Sequence, residues 1–159
     1  MATENIKFKI ELYATMWDKP PVAEISINNK VYFTWFIDGT KDEPTMVEFE
    51  HKFEEGEDYY LTIKRSGKDN KQTVVENGKI IKDQVLEINR IEIDEIDIGA
   101  LVYEGVYTPE YPEPWATEQR EAGTELKKSF KNVTQMGHNG TWRFKFSSPF
   151  YMWLLENLY

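Results

Sequence analysis

The stretch Ile6-Lys7-Phe8-Lys9-Ile10-Glu11-Leu12 alternates apolar and charged side chains without a break. A period of two puts Ile6, Phe8, Ile10 and Leu12 on one side of an extended chain and Lys7, Lys9 and Glu11 on the other. That pattern predicts a half-buried strand with one wet face. The same period recurs along the chain. Ala23, Ile25 and Ile27 alternate with Glu24 and Ser26, and Asn28-Asn29 then supplies two residues that tolerate positive φ in a tight turn. Val47, Phe49 and Phe53 share a phase with His51, and Leu61 and Ile63 point together within Tyr59–Arg65. Trp142, Phe144 and Phe146 alternate with Arg143 and Lys145 in a late strand.

Three stretches add detail. Val31–Ile37 is apolar on both faces, which predicts a central strand closed by Asp38-Gly39. Thr73-Val74-Val75 and Ile80-Ile81 flank Glu76-Asn77-Gly78-Lys79, and Asn-Gly is a strong hairpin signal. Within Val85–Ile93, Leu86 and Ile88 keep one phase while Ile91 and Ile93 keep the other. A β-bulge at Asn89-Arg90 would bring all four to the same face. Roughly eight or nine short strands separated by turn signals predict a mostly β fold, a β-sandwich.

Two segments depart from the pattern. Residues 108–129 contain Pro109, Pro112 and Pro114 and a polar stretch, which predicts a long loop of the kind that often carries function. Residues 149–159 read as a short C-terminal helix. Ser148 is its expected N-cap and Pro149 its first residue, with Phe150, Trp153, Leu154 and Asn157 at helical spacing.

The 159 residues fit one domain, 1–159, with one main core. The absence of cysteine removes disulfides and thiolate chemistry. A formal net charge of -9 opposes binding to phosphate backbones, so nucleic acid is not an expected partner. No apolar run approaches the roughly 18 residues of a membrane-spanning helix, so no membrane insertion is expected. Met1–Asn5 lacks the basic-then-apolar pattern of a signal peptide.

The candidates for chemistry are few. His51 lies on the apolar phase of a strand and reads as a core or edge histidine with a satisfied ring. His138, in Gly137-His138-Asn139-Gly140, reads as an exposed turn residue. No nucleophile elbow, zinc spacing or phosphate-cradling glycine pattern is present, and nothing marks out a catalytic pair among the 28 acidic residues. The chain is therefore not expected to be an enzyme. The acidic run Glu92, Asp94, Glu95 and Asp97, with Asp69 and Asp83 nearby in sequence, fits either a calcium site or a solvated acidic face. Tyr103, Tyr107, Tyr111 and Trp115 lie in or beside the proline-rich segment, with Glu110, Glu113, Glu118 and Gln119 among them. Such a set can stack on the apolar faces of sugars, anchor a protein interface, or cover the core.

The order of several features resembles small proteins encoded by tailed bacteriophages, including phages of marine bacteria and cyanobacteria. These features are Val47-Glu48-Phe49, Tyr60-Leu61-Thr62-Ile63, Asn77-Gly78-Lys79-Ile80-Ile81-Lys82-Asp83, Ile91-Glu92-Ile93-Asp94, Tyr111-Pro112-Glu113-Pro114-Trp115 and Trp142-Arg143-Phe144. Those proteins are in turn similar to calcium-dependent, xylan-binding-type carbohydrate-binding modules, and the similarity centres on Leu86–Asp94. The resemblance implies a jelly-roll type of β-sandwich and a non-catalytic virion protein, a capsid decoration or tail accessory, made in the host cytoplasm. Its implied partners are other virion proteins, further copies of itself and cell-surface polysaccharide. The alternative it implies is a working calcium-dependent glycan-binding module for host-surface adhesion. Tyr107, Tyr111, Trp115 and Trp153 are then the expected ligand or partner contacts. Asn89, Glu92, Asp94 and Asp97 are the expected calcium ligands, if a cofactor is present at all. Asn89 stands where such modules carry a metal-facing Asp, and Arg90 where they carry an aromatic; Asn offers a carbonyl oxygen without charge.

Overall fold

The structure, a computed structural model, describes residues 2–15, 17–68 and 74–157. Two antiparallel sheets face each other. The first runs β11 (Gln135–Met136), β8 (Val85–Ile93), β1 (Thr3–Thr15), β4 (Thr45–Glu54), with β9 (Ile96–Asp97) paired to β8. The second runs β10 (Val106–Pro109), β12 (Gly140–Ser147), β5 (Asp58–Ser66), β2 (Val22–Ile27), β3 (Lys30–Phe36). A separate hairpin joins β6 (Val74–Glu76) to β7 (Lys79–Lys82). The mostly β expectation and the sandwich hold.

Alternation explains the layers. Ile6, Phe8, Ile10 and Leu12 are buried, and so are Leu61, Ile63, Trp142, Phe144 and Phe146 from the facing sheet. Aromatic rings bridge the two layers: Phe146 lies 6.1 Å from Phe8 and 5.5 Å from Phe53. On the outer face of the first sheet, Lys7 is opposite Glu50, and Lys9 lies between Glu48 and Glu92. Opposite charges across strands stabilise the pairing that the core requires.

The bulge falls where the phase slip predicted it. Glu11 pairs with Arg90 and Leu12 with Ile88, so Asn89 has no residue opposite it. The extra residue turns Leu86, Ile88, Ile91 and Ile93 all inward, each at most 3% exposed. The Asn77-Gly78 hairpin also holds, with φ of 53° and 77° at its two central residues.

Three expectations need correction. Val31–Ile37 is not a central strand. Within it, β3 is the outer edge of its sheet, bonded to β2 alone, with Trp35 66% exposed and Phe36 and Val31 about half exposed. Only its inner residues are anchored: Tyr32 stacks on Phe49 at 4.5 Å, and its hydroxyl hydrogen-bonds His51 Nδ1. Two-sided apolarity therefore marks an uncovered edge here, not a buried centre. Residues 108–129 are not one loop. Val106–Pro109 extends as β10, and Trp115–Glu121 forms a short helix, α1. The prolines precede the helix, where a missing N–H costs nothing. The C-terminal helix α2 (Phe150–Asn157) starts one residue later than expected, and residues 158 and 159 lie outside the described residues. Ser148 donates its hydroxyl to Glu4, and the same Glu4 oxygen accepts the Phe150 amide at 2.9 Å. The cap thus comes from β1 across the fold.

His51 is the satisfied histidine expected. Burial, with Lys30 adding like charge, holds its imidazole below the ordinary value of 6.5. The unfolded chain therefore takes up this proton before the folded one does. Its contribution to stability is complete above pH 6.5 and is lost as pH falls below it. Melting temperature followed downward from neutral pH should fall less steeply in His51→Gln than in the parent; parallel curves would remove His51 from the acid response. A packing prediction is independent of pH. A Cβ on Gly105 would lie 2.2 Å from the Trp142 ring, whereas Gly123, at φ +85°, has nothing within 4 Å. In denaturant titrations Gly105→Ala should cost about 3 kcal/mol, from overpacking. Gly123→Ala should cost about 1 kcal/mol, from backbone strain alone.

Candidate functional site

A cleft of about 420 Å³ opens at one end of the sandwich, within the usual range of small-ligand sites. One wall is the β6–β7 hairpin, which presents Val75 and Ile80, both more than half exposed. The opposite wall is Pro112, Pro114 and Trp115 at the start of α1. The floor is the turn Gly137-His138-Asn139, and Glu110 and Glu118 stand at the rim.

The floor is held from below. Tyr107 on β10 is 4% exposed; its hydroxyl donates to the His138 carbonyl and accepts the His138 amide at 3.0 Å. Burial pushes Tyr107 up to about 12, so it is a neutral donor at any physiological pH. Lys68 Nζ donates to Asp83 Oδ1 at 2.7 Å and to the Gly137 carbonyl at 2.6 Å. Asn139 closes a two-bond ring with the Lys68 backbone, at 3.0 and 2.8 Å. Deeper still, Arg65 is fully buried and donates from Nη2 to the carbonyl and side-chain oxygen of Gln84, at 2.7 and 2.6 Å. Its Nε and Nη1 have no hydrogen-bond partner among the described residues. Burial lowers the guanidinium to about 10, so it remains charged at neutral pH.

The aromatic expectation divides. Tyr111, Trp115 and His138 form a cluster, with ring centroids 5.3 Å apart for Tyr111–His138 and 5.5 Å for Trp115–His138. Tyr111 donates its hydroxyl to the Lys127 carbonyl, and Trp115 remains 36% exposed at the cleft. Tyr107 is instead a buried support. Trp153 on α2 packs against the core, 5.6 Å from Phe144 and 5.9 Å from Phe150. His138 is half-buried rather than an exposed turn residue, and burial, Lys68 and Arg65 together hold its imidazole below the ordinary range. Of the flanking polar residues, Glu110 and Glu118 reach the cleft, while Glu113 turns to Thr117 and Arg120.

The expected calcium ligands are arranged differently. Asn89 Nδ2 donates to Glu11 Oε2 at 3.0 Å. Arg90 lies between Glu92 and Asp97, at 2.7 and 3.3 Å, and Asp97 also accepts the Gly99 amide at 2.8 Å. Asp94 accepts the Tyr151 hydroxyl. Asp83 belongs to the cleft floor, and Asp69 lies outside the described residues. Among the described residues no three or more metal-ligating side chains gather. Within the run, Arg90 bridges Glu92 and Asp97, while Asn89 and Asp94 bond Glu11 and Tyr151.

Chemically, the cleft offers an aromatic face, two apolar walls and carboxylates at the rim. Such a site can hold a flat ligand with one apolar face and hydrogen-bonding edges. Lys68, Asp83 and the hairpin were not foreseen as parts of it, since residues 68, 75, 83, 115 and 138 meet only through the fold.

No family model matches the chain, and no curated protein matches it. Among solved structures, the chain is similar to a selenomethionine form of vCBM60, from work on circular permutation linking two families of calcium-dependent carbohydrate binding modules. That match has 9% identity and a TM-score of 0.48, covering 87% of this chain and 89% of that one. It is also similar to vCBM60 in complex with galactobiose, at 10% identity and a TM-score of 0.46, covering 87% of this chain and 96% of that one.

Proposed function

We propose that the protein is a glycan-binding module whose ligand stacks on Trp115 in the cleft between the hairpin and α1. The observation that carries this reading is the state of Trp115. Its ring is partly exposed at the wall of a formed cleft, is backed by Tyr111 and His138, and stands beside carboxylates that can accept hydroxyl hydrogen bonds. Because the backing rings and two prolines already fix the wall, little ordering remains to be done on binding.

A second reading is a self-associating building block, as a virion protein would be, and one observation supports the self-association. Strand β3 ends its sheet with Val31, Trp35 and Phe36 exposed and, among the described residues, no partner on its outer side, an edge that another strand can extend. On that reading, self-association in sedimentation velocity should disappear in Trp35→Lys.

The leading reading is tested by isothermal titration or affinity electrophoresis against a panel of soluble oligosaccharides. Trp115→Ala should weaken the best ligand by about 10-fold or more, from the loss of roughly 1.5–3 kcal/mol of aromatic burial. Trp35→Lys should leave that affinity unchanged. Full retention of binding in Trp115→Ala would move the site elsewhere.

A further inference from the structure

Resting on the glycan reading of the cleft, we propose a ligand class: glycans that carry protonated amines, as polymers of glucosamine do, in preference to neutral or uronate-bearing ones. The argument is the balance of charge on the surface that a stacked sugar would meet. Lys68, Asp83, Glu110 and Glu118 line the cleft. The Lys68 side chain is only 11% exposed and directs its ammonium to Asp83 and to the Gly137 carbonyl, so these two charges compensate each other. Glu110 and Glu118 are both exposed, and neither side chain has an ion pair or hydrogen-bond partner among the described residues.

Among the described residues that line the cleft, Lys68 is the single cation. Lys82 lies over the Trp17 ring, 3.4 Å from its centroid. Arg120 is 3.8 Å from Glu113, and Arg65 has no exposed surface. His138 brings no positive charge at neutral pH, since burial and two neighbouring cations oppose its protonation. Among the described lining residues, a sugar stacked on Trp115 therefore meets two uncompensated carboxylates and one ammonium already held by Asp83. A protonated amine on the ring gains both carboxylates, and the indole face adds cation–π attraction. A uronate meets the same carboxylates as like charges.

The test compares oligosaccharides of equal length: the glucosamine oligomer, its N-acetylated counterpart and a galacturonate oligomer. Titrations are run where the sugar amine is protonated. The glucosamine oligomer should bind roughly 10-fold more tightly than the N-acetylated one, the effect of two exposed charge pairs. Added salt should shrink this ratio. The double variant Glu110→Gln/Glu118→Gln should melt like the parent and bring the ratio close to one. Equal binding of the amine and N-acetyl forms, or a preference for galacturonate, would overturn the charge inference and leave the glycan reading standing. Failure to bind any of the three oligomers would overturn this inference; failure across the wider panel as well would remove the glycan reading.

Discussion

The cleft depends on a buried contact between Arg65 and Gln84. Arg65 is the last inward-facing residue of β5, in register between Ala23 on β2 and Gly140 on β12. Its guanidinium grips both oxygens of Gln84, and the Gln84 side chain in turn donates to the Lys19 carbonyl at 2.8 Å. The link ties the second sheet to the segment leading into β8 of the first. Among the described residues only Nη2 of this buried charge finds acceptors, so losing the Gln84 contact would strand the whole guanidinium, and the contact restrains the chain on either side. That chain is the cleft floor. Asp83, one residue away, holds Lys68 and the Gln84 amide, and Lys68 holds Gly137.

The fold was legible because the core obeys one rule. A strand with one face buried must alternate, and every sheet residue that was assigned by phase within Ile6–Leu12 or Trp142–Phe146 lies on the side expected. Even the exception at Asn89 was readable, since two phases on one strand can share a core only through an extra residue. The rule fails where both phases are apolar. Val31–Ile37 gives the same pattern whether a strand is covered on both sides or abandoned at an edge, and only the pairing partners decide. Helix α1 escaped notice for a related reason: prolines signal the end of regular structure, yet Pro114 stands just before a helix begins.

The site was legible in its residues but not in its assembly. Tyr111 and Trp115 were visible as an aromatic pair in a proline-rich segment, and the structure does bring them together. Nothing local separates them from Tyr107, which differs only in lying on the inward phase of β10. Arg65 carried a signal that spacing alone exposes: it continues the buried phase of Tyr59, Leu61 and Ile63, where a charge must find partners. The acidic run around Glu92 was legible as composition, and its side-chain partners only through the fold. Its carboxylates are near in sequence, yet Arg90 and Tyr151 divide them.

The two walls of the cleft differ in how firmly the fold holds them, and this bears on how a ligand is selected. The Trp115 wall is backed by rings, prolines and the Tyr107 and Lys68 networks. The opposite wall is a two-stranded hairpin that, among the described residues, joins neither sheet, and two strands alone are marginal in water. Its Val75 and Ile80 therefore add apolar contact at the cost of ordering the hairpin around what is bound. On the proposed glycan reading, recognition comes mainly from the rigid side, where Trp115 would select for a flat apolar face and Glu110 and Glu118 for charge. The hairpin should contribute area more than discrimination. On that same reading, a cleft built in this way would accept chains of varied length and linkage while still distinguishing the chemistry of the ring against the tryptophan.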